Sequence, residues 1–107
     1  MTEYKLTVLL SQNRSYVVTV QEKQHGLWTT IGNFRIRNQK LWIMNKHETW
    51  IMLTDQTNAD TFWEISLEKI ERFYKITLDA LNDVTDSDFT KTSENSGPNF
   101  LIYVNEY

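Results

Sequence analysis

Between Asp60 and Val84 the chain reads DTFWEISLEKIERFYKITLDALNDV, and its apolar residues recur at steps of three and four. Trp63, Leu67, Ile70, Tyr74, Leu78 and Leu81 line up along one side of an α-helix. Glu64, Glu68, Glu71, Arg72, Lys75 and Asp79 fall mostly on the other side, so the spacing predicts a single amphipathic helix over residues 61–83, about six turns long. Thr61 followed by Glu64 has the form of a capping box, in which each side chain satisfies a free backbone N–H at the helix start. A helix with one apolar stripe has to bury it against a second surface, and the rest of the chain is the only source of one.

That remainder is patterned for strands. Tyr4, Leu6, Val8 and Leu10 alternate with Glu3, Lys5, Thr7 and Leu9, and Tyr16, Val18 and Val20 alternate with Val17, Thr19 and Gln21. Ser11 to Arg14 supplies a turn between them, giving an N-terminal hairpin. Gln24-His25-Gly26 breaks the chain before LWTTIGNFRIR, where Gly32 suggests a bulge or a close approach of backbone. Asn38-Gln39 and Asn45 to Glu48 are tight polar connectors on either side of KLWIM, so residues 3–54 read as a five-stranded antiparallel meander. The strands around Trp42 and Trp50 are apolar on both faces, which places them at the centre of the sheet or makes one of their faces an interface. After Val84 a Ser-, Thr- and Asp-rich stretch up to Pro98 reads as a flexible acidic loop over residues 84–98. NFLIYV then forms a last strand, with Phe100, Ile102 and Val104 on one face and Leu101 and Tyr103 on the other.

The expected fold class is therefore α+β: an antiparallel meander of about five strands, one long helix packed across it, and a C-terminal strand returning to the sheet. With 107 residues and 40% hydrophobic content, residues 1–107 suit one domain with one core. The run KLWIMNKHETWIML followed by WEISLEKIERF is similar to a strand–turn–strand pattern of bacterial pleckstrin-homology-like domains, a likeness that would make the second part a strand. Helical spacing as far as Leu81 argues for a helix there instead.

Several functional classes lack their residues. The chain has no Cys, which excludes disulfide frameworks, zinc-thiolate sites and thiol nucleophiles. Its first sixteen residues lack a basic n-region, a continuous apolar stretch and a small-residue cleavage site, and no window approaches a membrane span. A soluble cytoplasmic protein without membrane contact is the expectation. No phosphate-binding loop, dinucleotide fingerprint, nucleophile elbow or His-Glu-x-x-His pattern is present, and three glycines cannot build a Gly-rich phosphate cradle. Asp83 to Glu94 has the length of a calcium-binding EF-hand loop, but Asp88 stands where a glycine must turn the chain and Lys91 occupies a ligand position. His25 and His47 each sit in an expected turn, where most imidazoles are simply solvated. The sequence thus points to no enzyme, no cofactor and no metal.

Charge is what remains to argue from. The net charge is −3, yet residues 1–53 carry seven Lys/Arg against three Asp/Glu and residues 54–107 carry four against eleven. One end or one face should be basic and the other acidic. On the acidic side, Glu64, Glu68, Glu71, Asp79, Asp83, Asp86 and Asp88 offer a surface for a basic groove of another protein. Trp42 and Trp50 offer an apolar one, which a homodimer could equally use. The expected function is a small non-enzymatic protein-binding module, an inhibitor or adaptor of the kind viruses and mobile elements encode. The alternative is a single-stranded nucleic-acid binder using Arg35, Arg37, Lys40 and Lys46 beside the aromatic strand residues, a use that the overall negative charge weakens.

Overall fold

Two tight turns set the register of the sheet. His25 and Gly26 have φ of 52° and 80°, and Asn38 and Gln39 have φ of 52° and 62°, the paired left-handed conformations of a two-residue turn whose twist matches that of the strands it joins. The computed structural model describes residues 1–11, 15–53, 61–83, 90–91 and 98–107. In chain order these form β1 (Thr2–Leu10), β2 (Tyr16–Gln24), β3 (Leu27–Arg37), β4 (Lys40–Met44), β5 (Trp50–Met52), α1 (Leu67–Asp83), β6 (Thr90–Lys91) and β7 (Pro98–Glu106). All strands belong to one antiparallel sheet in the order β5-β4-β3-β2-β1-β7-β6. The five-stranded meander, the single helix and the returning C-terminal strand expected from the residue pattern are all present. β7 pairs with β1, with Thr2 opposite Glu106 and Val8 opposite Phe100.

The core forms where the inward-pointing residues of the strands meet α1. Tyr4, Leu6 and Val8, Val18 and Val20, Phe34 and Ile36, and Leu41 and Ile43 are all buried, in strict alternation along their strands. Burial of each such side chain contributes about 1.5–3 kcal/mol. From the helix side come Ile70, Phe73 and Thr77, with Leu67, Tyr74, Leu78 and Leu81 half-buried beside them. Phe73 packs against Tyr4 with ring centroids 5.0 Å apart. The apolar line read from the sequence thus runs one residue off the true centre of the buried stripe: it omits Phe73, which is fully buried.

The helix is also shorter than expected. It starts at Leu67, and Ser66 caps it by accepting a hydrogen bond from the Lys69 N–H at 3.2 Å. Thr61, expected to be the cap, instead pairs with Asn45 as an isolated bridge, and its hydroxyl donates to the Trp63 carbonyl at 2.6 Å. Phe62 N–H donates to the Met44 carbonyl, so this stretch is held against the end of β4 before the helix can begin. Trp63 and Glu64 therefore stand outside α1.

Gly32 fulfils both readings made of it. The β2–β3 register shifts at Val20/Gln21, so that Ile31 is extruded as a bulge. A Cβ at Gly32 would come 2.9 Å from the Ile65 Cγ2, so only a glycine lets the segment before α1 lie this close to β3.

Two expectations about position need correcting. The strands around Trp42 and Trp50 are not central, since β4 and β5 end the sheet on one side. Their two-faced apolar pattern therefore cannot come from being enclosed by neighbouring strands. Within the stretch read as a loop, Thr90–Lys91 pairs with Asn99 and Pro98 as β6, while residues 84–89 and 92–97, including Asp86 and Asp88, lie outside the described residues.

Candidate functional site

Because α1 covers one face of the sheet, the residues that alternate with the core project from the other. Among the described residues no helix or strand packs on that face, which the segment before α1 touches where the Trp63 indole N–H donates to Asn33 Oδ1. The cross-strand register arranges it in rows. Leu9, Val17, Arg35, Trp42 and Met52 form one, and Leu101, Thr7, Thr19 and Asn33 lie in the next; Met44 and Trp50 pair with each other beyond the last β3–β4 pair, where Phe62 N–H bonds to the Met44 carbonyl. Met52, Leu101 and Tyr103 are 43%, 47% and 62% exposed, while Trp28, Trp42 and Trp50 are half-buried. A sheet with one solvated face ordinarily puts polar residues there. Here a large part of it is apolar.

Cations are set among the rings. Lys5 Nζ lies 4.8 Å and Lys23 Nζ 5.8 Å from the Trp28 ring centroid, and Trp28 stands 6.2 Å from Tyr103. The Arg35 guanidinium lies 5.0 Å from the centroid of Trp50. Such cation–ring contacts are worth about 0.5–1 kcal/mol at exposed sites. Arg37 and Lys40 face each other across β3 and β4 on the same side of the sheet. Of the acids, the strands bring only Glu3 to this face among the described residues, and Lys23 pairs with it at 3.7 Å.

The helix side has the opposite character. Glu64, Glu68, Glu71, Asp79 and Asp83 are all exposed there, the first just before α1 and the others along it. Arg72 reaches across from α1 to pair with Glu106 on β7. Lys69 donates to the Tyr4 hydroxyl at 2.8 Å, and this bond raises its pKa above the usual lysine value against the opposing effect of burial. Among the described residues the charge asymmetry between the two halves of the chain thus becomes an asymmetry between two layers: a basic, partly apolar sheet face and an acidic helix face.

The residues expected at a site are distributed accordingly. Trp42, Trp50, Arg35, Arg37 and Lys40 come together on the open face. Lys46 is exposed in the turn after β4, where Asn45 Oδ1 accepts hydrogen bonds from the His47 and Thr49 N–H groups. Of the acidic set, Glu64, Glu68, Glu71, Asp79 and Asp83 stand on the other layer, and Asp86 and Asp88 lie outside the described residues. His25 and His47 lie in different turns and are exposed, and among the described residues no group of three or more His, Asp or Glu could hold a metal ion. Sequence reasoning missed Trp28, Lys5, Lys23 and Met52 as members of the open face. The signal for Trp28 was there: a two-residue turn at His25-Gly26 fixes Lys23 opposite Trp28.

A concavity of about 650 Å³ lies between the end of the β2–β3 hairpin and residues 62–66. Glu22, Glu64, Lys69, Phe62 and Trp63 line it, with the Trp63 indole N–H fixed at 3.0 Å to Asn33 Oδ1. Its charges are mixed and its one cation is held by Tyr4. No helix among the described residues is long and apolar enough to cross a membrane. No protein-family model, curated protein or solved structure matches this chain.

Proposed function

We propose that this chain is a small non-enzymatic binding module whose partner is another protein, in the manner of an inhibitor or adaptor, and that the partner docks on the open face of the sheet. One observation carries the reading. The helix shields one face of the sheet, while the other carries exposed Met52, Leu101 and Tyr103 and half-buried Trp42, Trp50 and Met44, with no helix or strand over them among the described residues. Exposed apolar side chains interleaved with polar ones, as Thr7, Thr19, Asn33 and Arg35 are here, are what protein interfaces bury, and aromatic and Met side chains are enriched at their centres.

A homodimer made by stacking two open faces is the less favourable use, since each would bring Lys5, Lys23, Arg35, Arg37 and Lys40 against its own copy. Single-stranded nucleic acid is the second reading, favoured by those same cations beside rings. Against it, the Trp28 and Trp50 rings already carry a side-chain cation within 5.0 Å of their centroids, where a base would stack.

Affinity capture from the native cell tests the proposal with three forms of the protein: unaltered, Trp50→Ala/Met52→Ser, and Glu68→Gln/Glu71→Gln/Asp79→Asn. Circular dichroism and thermal melting establish that each is folded. A protein recovered with the unaltered and helix-altered forms but lost from the sheet-altered form supports the open face. Retention by the sheet-altered form and loss from the helix-altered one would transfer the function to the acidic layer.

A further inference from the structure

We infer that the segment docking on the open face is an acidic amphipathic helix of the partner, laid across the strands with its apolar stripe on the sheet and carboxylates along both flanks. This rests on the reading that a protein docks there, and adds the chemistry of what docks. The two rows that hold Val17, Trp42 and Met52, with Met44 beside them and Thr7, Thr19, Asn33 and Arg35 between, are bordered by cations on two sides. Arg37 and Lys40 close one border, and Lys5 and Lys23 the other.

The spacing fits a helix. Lys5 shares a row with Gln21 and Thr30, and Thr30 precedes Arg37 by seven positions on β3, of which one is the extruded Ile31. The two cation borders are thus about six strand residues apart, roughly 20 Å. A helix of about 10–12 Å diameter leaves room on each side for a glutamate to reach its cation. Seven strands at about 4.8 Å spacing give a platform of roughly 30 Å, the length of about 20 helical residues. Among the described residues five cations stand on this face against Glu3, so acidic flanks are attracted and basic ones repelled.

Fluorescence anisotropy with three labelled probes tests this. The first is a peptide of about 20 residues with Leu and Trp at i, i+3, i+4 and i+7 spacing and Glu elsewhere, the second its counterpart with Lys for Glu, and the third an oligothymidylate of about 20 nucleotides. The acidic peptide should bind at least about tenfold more tightly than the basic one, and raising salt to about 0.5 M should weaken it. Lys5→Glu/Lys23→Glu should lower its affinity about tenfold, and Trp50→Ala/Met52→Ser should abolish binding of either peptide. Equal binding of both peptides, lost only in the apolar variant, would overturn the acidic assignment and leave the docking face standing. Tighter binding of the oligothymidylate than of the acidic peptide would overturn both in favour of nucleic acid. Absence of binding to all three probes would also overturn the inference.

Discussion

The Arg35 guanidinium lies 5.0 Å from the centre of the Trp50 ring, so a cation on β3 reaches past β4 to the strand at the edge of the sheet. That contact and the partial burial of the ring together should make Trp50→Ala cost about 1–2 kcal/mol of unfolding free energy. Phe34→Ala, which empties a fully buried position, should cost about 3–5 kcal/mol. Denaturant titration of the two variants separates a surface ring from a core ring. A loss at Trp50 as large as that at Phe34 would make Trp50 a core residue and remove it from any interface.

Gly32 and Ile65 compete for the same space. Gly32→Ala places a methyl 2.9 Å from Ile65 Cγ2 and should destabilise the fold by about 1–3 kcal/mol. In an Ile65→Ala background the obstructing methyl is gone, and the same glycine substitution should cost at least about 1 kcal/mol less. A double-mutant cycle measured by thermal or chemical unfolding gives the coupling directly. Additive losses would mean that Gly32 is required for the bulge alone.

Gln39 holds a left-handed backbone conformation, at φ 62°, in which a side chain is strained. Its carbonyl accepts a hydrogen bond from the Tyr74 hydroxyl at 2.5 Å, which ties the turn to α1 through backbone and is indifferent to the side chain at position 39. Gln39→Gly should therefore stabilise the protein by about 0.5–1 kcal/mol, seen as a rise in Tm. A fall in Tm would show that the glutamine side chain makes a contribution larger than the strain.

Stability should decline in alkali. Hydrogen bonding to the Tyr4 hydroxyl raises the pKa of Lys69, and burial raises that of Tyr74. In both cases folding favours the protonated form, so the stabilisation is complete below the unfolded values near 10 and is lost as pH rises through the folded ones. Tm should be insensitive to these two groups at neutral pH and fall above about pH 10. The Lys69→Gln/Tyr74→Phe variant should fall less steeply. Equal slopes would place the alkaline loss elsewhere.

Most of the sheet was legible because its determinants are local: alternation of Leu6 with Thr7 or Val18 with Thr19, and two-residue turns at His25-Gly26 and Asn38-Gln39. The helix start was not. Thr61 and Ser66 both have capping chemistry, and what decides between them is the bridge to Asn45 and the Trp63–Asn33 hydrogen bond, which span 16 and 30 residues. The two-faced pattern around Trp42 and Trp50 was ambiguous for a similar reason. A strand enclosed in the middle of a sheet and an edge strand with a docking face carry the same residues, and only the strand order separates them. Trp28 gains its significance from Lys5 on β1, a neighbour that no local window contains.

The open face can be observed directly through its methionines. Met44 and Met52 lie on it and Met1 precedes β1, so methyl NMR of methionine-labelled protein reports contact with this surface separately from the rest. Titrated with the acidic amphipathic peptide, the Met44 and Met52 methyl signals should shift and broaden while the amides of Glu68, Glu71 and Asp79 stay in place. Stationary methionine signals, with the helix amides moving on addition of the basic peptide instead, would contradict the assignment of the binding surface.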